Sequence, residues 1–379
     1  MKILFIQKEG GIFGAEQFQL KIIPALLQRG VQIEFLRLYT SFQLGINSPF
    51  VGKLKEFGIP VHQVNIGRFP GIGDILKIKS IIKKGDFDIV HTHLIHADLY
   101  GALIKSFFFK EMILVSTKHG YDEDYTTRFG LDPAQLKKNL YYRLSHFSES
   151  IVNKSFAISD GLRNFFVGAG ISKATTLGRI HYGFDMNIET DYSEAPAYRH
   201  ASPQLVLAGR LVNFKGHRFA LEAISILKAK YPSLRLLIIG VGGMEEELRR
   251  KTTEMGLDDH VSFLGFKSDV KNFMHHSDVV LIPSIAEGFG VVFLEAISQS
   301  RPIAAFNVAA GNEIFDESYL PLLAKPFDVS DYANKIDRLL SDAESWRVPL
   351  QKSKDRLMTY FTMKRMTDEM IDFYNRVLN

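Results

Sequence analysis

Short apolar runs alternate along this chain with longer stretches in which apolar residues recur every three or four positions. The first pattern predicts buried strands and the second amphipathic helices. Lys2 to Gln7 reads as a strand, Glu16 to Gln28 as a helix ended by Gly30, and Val31 to Leu38 as a second strand. The loop between the first two elements is rich in glycine, Gly10-Gly11-Ile12-Phe13-Gly14-Ala15-Glu16. Further strands are predicted at Asp88–His93, Ile113–Lys118 and Phe156–Ser159, with helices at Ile75–Lys84, Ala97–Phe109, Leu136–Lys154 and Asp160–Gly168. The alternation predicts a doubly wound α/β fold. The glycine loop is not G-x-G-x-x-G and no acidic residue closes the second strand, so the dinucleotide fingerprint is absent.

The pattern pauses at 191–203, a polar stretch holding Pro196 and Pro203, which reads as a linker. It then restarts. Strands are predicted at Leu205–Ala208, Leu234–Ile239, Val261–Phe266, Val279–Pro283 and Pro302–Phe306. Helices are predicted at Arg218–Tyr231, Glu245–Met255, Val270–His276, Val292–Ile297, Asp331–Leu340 and Lys352–Leu378. Two domains follow, 1–190 and 191–362, and a length of 379 residues suits two cores better than one.

Composition changes this picture in two respects. There is no cysteine, which excludes disulfides and thiolate metal sites. The net charge of +4 is uneven: residues 1–190 hold 23 Lys and Arg against 17 Asp and Glu, and residues 191–379 hold 23 against 25. Lysines interleave with Phe, Tyr and Ile on the helices at 75–84, 101–110 and 136–154. Such faces fit an anionic membrane surface, the alternative being core aromatics beside solvated lysines. The N-terminus lacks the apolar stretch of a signal peptide, and no window nears the roughly 18 apolar residues of a span. A cytoplasmic protein, peripheral on the inner face of the cytoplasmic membrane, is expected.

The candidate chemistry lies at the ends of strands, where open α/β sheets bind ligands. After the strand at 205–208 come Arg210 and Lys215 on a loop bounded by Gly209 and Gly216. An arginine fork and a lysine point charge this close together can clamp a diphosphate. Gly240, Gly242 and Gly243 follow the next strand and let backbone pass a flat or charged ligand. After the strand at 279–283 the chain reads Glu287-Gly288-Phe289-Gly290, then a helix carrying Glu295. A helix N-terminus with glycines suits phosphate, so the two carboxylates are assigned to hydroxyls. The alternative is an ordinary strand–loop–helix with Glu287 as a solvated cap. In the first half His91, His93 and His119 stand at strand ends without diagnostic metal spacing, so no metal site is expected.

Four segments together resemble the retaining family 4 glycosyltransferases of the GT-B fold: Gly209-Arg210-Leu211 with Lys215-Gly216, Ile239-Gly240-Val241-Gly242, Val261-Ser262-Phe263-Leu264-Gly265, and Glu287-x7-Glu295. Similar segments occur at Gly10-Gly11 with Glu16, at 88–93 and at His119. The resemblance implies two Rossmann-like domains facing each other across a deep cleft, with the last helix, 363–379, crossing back onto the first domain. It implies a nucleotide diphosphate sugar donor, UDP-sugar favoured, and a saccharide or lipid-linked acceptor, with no nucleic acid, cofactor or metal. Arg210 and Lys215 would hold the diphosphate, Glu287 and His119 the transferred sugar, and Glu295 the ribose. Gly11, Gly14, Gly288, Phe289, Gly290 and the backbone at Phe266 would complete the donor site. Glu16 and His93 would lie on the acceptor side. A sugar-nucleotide epimerase and a non-catalytic sugar-nucleotide-binding protein remain as alternatives. The chain departs from many relatives at His181-Tyr182-Gly183 and at Ala309-Ala310-Gly311-Asn312-Glu313.

Overall fold

The computed structural model describes residues 1–9, 11–40, 48–185, 192 and 203–379. The first sheet holds β1 (Lys2–Lys8), β2 (Gln32–Tyr39), β3 (Val61–Asn65), β4 (Ile89–His93), β5 (Leu114–Lys118), β6 (Lys154–Ala157) and β7 (Leu177–Arg179). Its helices are α1 (Gly14–Gln28), α2 (Pro49–Glu56), α3 (Ile72–Gly85), α4 (Leu94–Phe107), α6 (Leu140–Ile151) and α7 (Asp160–Gly168); α5 (Glu123–Phe129) comes between β5 and α6 in the chain but belongs to the second unit. The second sheet holds β8 (Gln204–Ala208), β9 (Arg235–Ile239), β10 (Val261–Phe263), β11 (Val279–Ile282) and β12 (Ile303–Ala305). Around it run α8 (His217–Leu227), α9 (Glu245–Glu254), α10 (Val270–His275), α11 (Val291–Ser298), α12 (Val329–Ser341) and α13 (Glu344–Thr359); α14 (Met363–Leu378) ends the chain.

Both sheets are parallel throughout, in the orders β3-β2-β1-β4-β5-β6-β7 and β10-β9-β8-β11-β12. Each order reverses direction beside its first strand, so the first sheet switches between β1 and β4 and the second between β8 and β11. Strands buried on both faces explain the near-continuous apolar runs, such as Val279-Val280-Leu281-Ile282.

The chain divides into two compact units: Met1–Asp122 with Asp132–Gly183 and Met363–Asn379, and Glu123–Leu131 with Phe184–Thr362. Helix α14 therefore belongs to the first unit and α5 to the second. The linker expected at 191–203 lies outside the described residues except for 192 and 203. Two predicted elements differ, and two observed ones were not predicted. The helix expected over 136–154 is α6 alone, because Asn139 caps it by accepting from the Tyr142 N–H at 2.9 Å, and Lys154 already starts β6. The helix expected over 352–378 is two, interrupted at Phe361, whose carbonyl accepts from the Phe184 N–H at 2.7 Å. Helix α5 and strand β7 were not predicted; both are short and carry little apolar periodicity. No helix among the described residues is long and apolar enough to cross a membrane.

Candidate active site

In the second unit the predicted residues gather at the carboxyl ends of β8 and β11, beside the switch point. Three links tie the Arg210–Gly216 loop to the 283–290 loop. The Ile285 N–H donates to the Phe214 carbonyl at 2.9 Å. Gly216, at φ 72°, lies so near that an added Cβ would sit 1.9 Å from the Pro283 carbonyl oxygen. Lys215 Nζ is 2.7 Å from Glu287 Oε1, with the carboxylate buried and the ammonium half-buried. Lys215 is thus a positioned cation whose carboxylate partner is supplied by the neighbouring strand end. The Phe214 ring stands beside both cations, 5.5 Å from the Arg210 guanidinium and 5.6 Å from Lys215 Nζ.

The glycines after β9 make a close approach, and it is to the chain's own backbone. A Cβ on Gly240 would lie 1.9 Å from the Gly209 carbonyl oxygen, and one on Gly242 would lie 2.4 Å from that of Leu211. The Leu211 N–H donates to Val241 at 3.1 Å, and its carbonyl accepts from Met244 at 3.0 Å. Gly240 and Gly242 therefore let the β9 loop brace the loop that carries Arg210. Phe266 stands open to solvent beyond β10, 76% exposed.

Gly290, at φ 90°, is the N-cap of α11, where a Cβ would meet the Phe293 ring at 2.5 Å. Phe289 is buried, with its ring 5.5 Å from that of Phe361. Gly288 and Glu295 are half-buried. In the departing loop, buried Ala310 has φ 70°, a conformation that glycine adopts without strain. Sequence reading missed two participants. Segment α5 packs on the Lys215 turn, and Gly130 approaches the Ile285 carbonyl, its added Cβ 3.0 Å away. His217, next to Gly216, is buried with neither ring nitrogen partnered among the described residues. Burial first, then Lys215, lowers its pKa to about 4, so it is neutral. The signal was a histidine directly after the Lys-Gly turn.

In the first unit, His93 and His119 meet at the ends of β4 and β5, with His93 Nδ1 3.0 Å from His119 Nε2. Gly11 has φ 137°, and an added Cβ would meet the Phe13 ring at 2.8 Å. Gly14, at the start of α1, has open space where a Cβ would be. Glu16 is buried at the start of α1. It turns back to close its own loop, accepting from the Phe13 N–H at 3.0 Å and from Gln7 Nε2 at 2.5 Å. Burial outweighs these donors and raises its pKa to about 7. Two Asp-x-Asp triplets are present. Asp88 of Asp86-Phe87-Asp88 accepts from the Lys2 N–H at 2.7 Å, at the end of the sheet away from the ligand edge. Asp122-Glu123-Asp124 follows β5 in the chain, and its last two residues open α5.

Comparisons with known proteins match both halves. The family Glycosyltransferase Family 4 matches residues 13–185, and Glycosyl transferases group 1 matches residues 189–356. The chain is 22% identical to the UDP-Gal:alpha-D-GlcNAc-diphosphoundecaprenol alpha-1,3-galactosyltransferase of Escherichia coli, over 85% of this chain and 84% of that protein. It is 23% identical to the D-inositol 3-phosphate glycosyltransferase of Pseudarthrobacter chlorophenolicus, over 88% and 83%. Among solved structures, Anabaena HepE in complex with UDP and glucose superposes with a TM-score of 0.80 at 20% identity, covering 99% of this chain and 100% of that one. HepE has also been solved in complex with UDP-glucose. With the two families matching the two halves in order on a GT-B fold, this chain belongs to the family 4, group 1 glycosyltransferases.

Proposed function

We propose that the protein is a retaining, metal-independent transferase that moves a sugar from a UDP-sugar to a hydroxyl of a saccharide or lipid-linked acceptor in cell-envelope polysaccharide assembly. The observation that carries this reading is the ion-paired Lys215 beside Arg210 at the switch point of the second sheet. Breaking the anomeric C–O bond leaves an oxocarbenium-like sugar and a diphosphate that gains negative charge. Cations already fixed in place stabilise that charge without reorganising. Lys215 is held by Glu287, and Arg210 rides on a loop braced by Gly240 and Gly242. The acceptor oxygen attacks from the face that the diphosphate leaves, and the departing phosphate oxygen takes the acceptor proton. One C–O bond breaks, one forms, and one proton moves. Solved HepE complexes with UDP and UDP-glucose favour uridine as the base. The Escherichia coli relative, named for a diphosphoundecaprenol substrate, favours a lipid-linked acceptor.

A peripheral seat on the membrane is part of the proposal. Phe69, Ile72, Leu76 and Phe107 are exposed on and beside α3 and α4, among Lys77, Lys83 and Lys84. Lys79 Nζ lies 4.2 Å from the centre of the exposed Phe108 ring. The test of function is a calorimetric screen of nucleoside diphosphate sugars, then transfer assays with the best donor. A UDP-sugar that binds, is consumed with acceptor and yields product of unchanged anomeric configuration is the expected result. Failure of every nucleotide sugar to bind overturns the assignment, and an inverted product overturns retention.

A further inference from the structure

Lys8 and His96 stand on either side of the switch point of the first sheet, where the strand order turns between β1 and β4. Lys8 ends β1, and His96 lies in the first turn of α4, directly after β4. Open parallel sheets bind ligands outside the carboxyl ends of their strands at such a point. Alternation along β1 puts Lys8 on the face of Leu4 and Ile6, which α3 and α4 cover with Ile78, Ile82, Ala97 and Tyr100. Lys8 thus carries that apolar row out to the edge of the sheet and ends it in a charge. Its Nζ lies 3.4 Å from His96 Nε2. Burial first, and then Lys8, lower the His96 pKa to about 4, so the ring is neutral and offsets no charge. Among the described residues Lys8 has no carboxylate partner, and burial lowers its pKa. Two other lysines at strand ends differ in this respect. Lys118 has Asp98 at 2.6 Å and Glu149 at 2.7 Å, and Lys215 has Glu287 at 2.7 Å. A half-buried ammonium without a counter-charge is unfavourable until an anion supplies one.

An anion can reach the pair. Both side chains keep part of their surface open to solvent. With Nε2 turned to the ammonium, Nδ1 of His96 carries the ring proton. That nitrogen has no partner among the described residues and is not sealed from solvent. The turn that sets His96 beside Lys8 is strained. No residue separates β4 from α4, and Leu94 takes φ 68° to join them. A leucine holds that conformation only where its surroundings impose it, and such residues gather at ligand sites. Beyond the pair the surface turns apolar. Tyr100, one helical turn after His96, donates to Asp74 Oδ2 at 3.1 Å and ties α4 to the first turn of α3. Around that turn Phe69, Ile72 and Leu76 are exposed. A cation with a neutral N–H donor, followed by an apolar rim, matches a phosphate that carries a hydrocarbon chain.

We propose that Lys8 and His96 bind the phosphate of a lipid-linked acceptor, Lys8 as the cation and His96 Nδ1–H as a second donor, with the lipid running toward Phe69 and Ile72. The acceptor role rests on the transferase reading above; the anion site does not. The probe is inorganic pyrophosphate, added to the protein in excess UDP so that Arg210 and Lys215 are already occupied. Ring 15N spectra of histidine-labelled protein, assigned with His96→Gln, read the His96 ring alone. Pyrophosphate should move its resonances saturably in the wild type. Lys8→Met should weaken that response by roughly tenfold or more, and Lys8→Arg, which keeps the charge, should retain most of it. A wild-type His96 ring that pyrophosphate leaves unmoved overturns the inference without any variant. An unchanged response in folded Lys8→Met overturns it as well. Once a donor is known, two acceptors separate a lipid phosphate from a free one: a prenyl-diphosphate-linked saccharide, and the same saccharide without phosphate. The ratio of their kcat/KM values should fall roughly tenfold in Lys8→Met. A ratio that stays the same, with the His96 response present, removes the acceptor role and leaves the anion site intact. Failure of every nucleotide sugar to bind strikes the transferase reading alone, because the His96 response to pyrophosphate is read without a donor.

Discussion

Lys215 and Glu287 are 72 residues apart in sequence and 2.7 Å apart in space. Their loops were legible as strand ends rich in glycine, and the cation pair Arg210 and Lys215 was legible by its spacing. The bond between Lys215 and Glu287 was not, because parallel neighbours in a doubly wound sheet come from distant segments. Lys215→Ala should lower turnover by on the order of 10²-fold or more, and it should also lower the melting temperature, because it leaves the buried Glu287 carboxylate without its ion partner. Near wild-type transfer by the folded variant would remove Lys215 from the chemistry. Glu16 makes a different prediction. Its pKa rises from 4.5 to about 7 on folding, so between those values the native state binds more protons than the unfolded chain. Stability contributed by the protonated carboxyl is complete below pH 4.5 and lost as pH rises through about 7. The difference in unfolding free energy between wild type and Glu16→Gln should therefore change by about 3 kcal/mol across that window, the wild type losing ground toward neutral pH. Denaturant titrations of both proteins at several pH values check this, and a flat difference contradicts it.

At the scale of elements, patterning located most strands and helices because continuous apolar runs and recurrence every three or four positions leave a strong mark. It did not locate α5 or β7, which are short, nor the ends of α6 and α13, which are set by a cap and by a backbone bond to Phe184. The glycines after β9 were visible, but their reason was not. Sequence alone suggests room for a ligand, whereas Gly240 and Gly242 accommodate the backbone of Gly209 and Leu211. Such a clash is a long-range property that no local spacing encodes. Gly240→Ala would need an alanine at φ 143° with its Cβ 1.9 Å from a carbonyl oxygen. It should destabilise the second unit by about 2 kcal/mol or more and weaken nucleotide binding through displacement of Arg210. Chemical denaturation with unchanged midpoint would contradict the bracing role. Gly14→Ala meets open space and should leave the midpoint nearly unaltered.

For the whole molecule, each of the two sheets has its own switch point: Arg210 and Lys215 follow β8 at that of the second, and His93 ends β4 at that of the first, the unit to which α14 belongs. Charge asymmetry suggested a membrane-facing first half. The structure separates the candidate helices: Tyr142 of α6 is buried and bonds to the Gly170 carbonyl, while Ile72 and Leu76 of α3 remain open among lysines. The protein should float with vesicles containing anionic phosphatidylglycerol and not with pure phosphatidylcholine, and Ile72→Asp with Leu76→Asp should abolish flotation. Unchanged flotation of the double variant would place the contact elsewhere. The central claim is that Arg210 and Lys215 hold a nucleotide diphosphate without a metal. Calorimetric titration of UDP into the wild type and into Arg210→Ala and Lys215→Ala, all in EDTA, measures it directly. The account predicts a saturable isotherm for the wild type and at least roughly tenfold weaker binding for each variant. Wild-type protein that takes up UDP only after a divalent cation is restored, or variants that bind as tightly as the wild type, would contradict it.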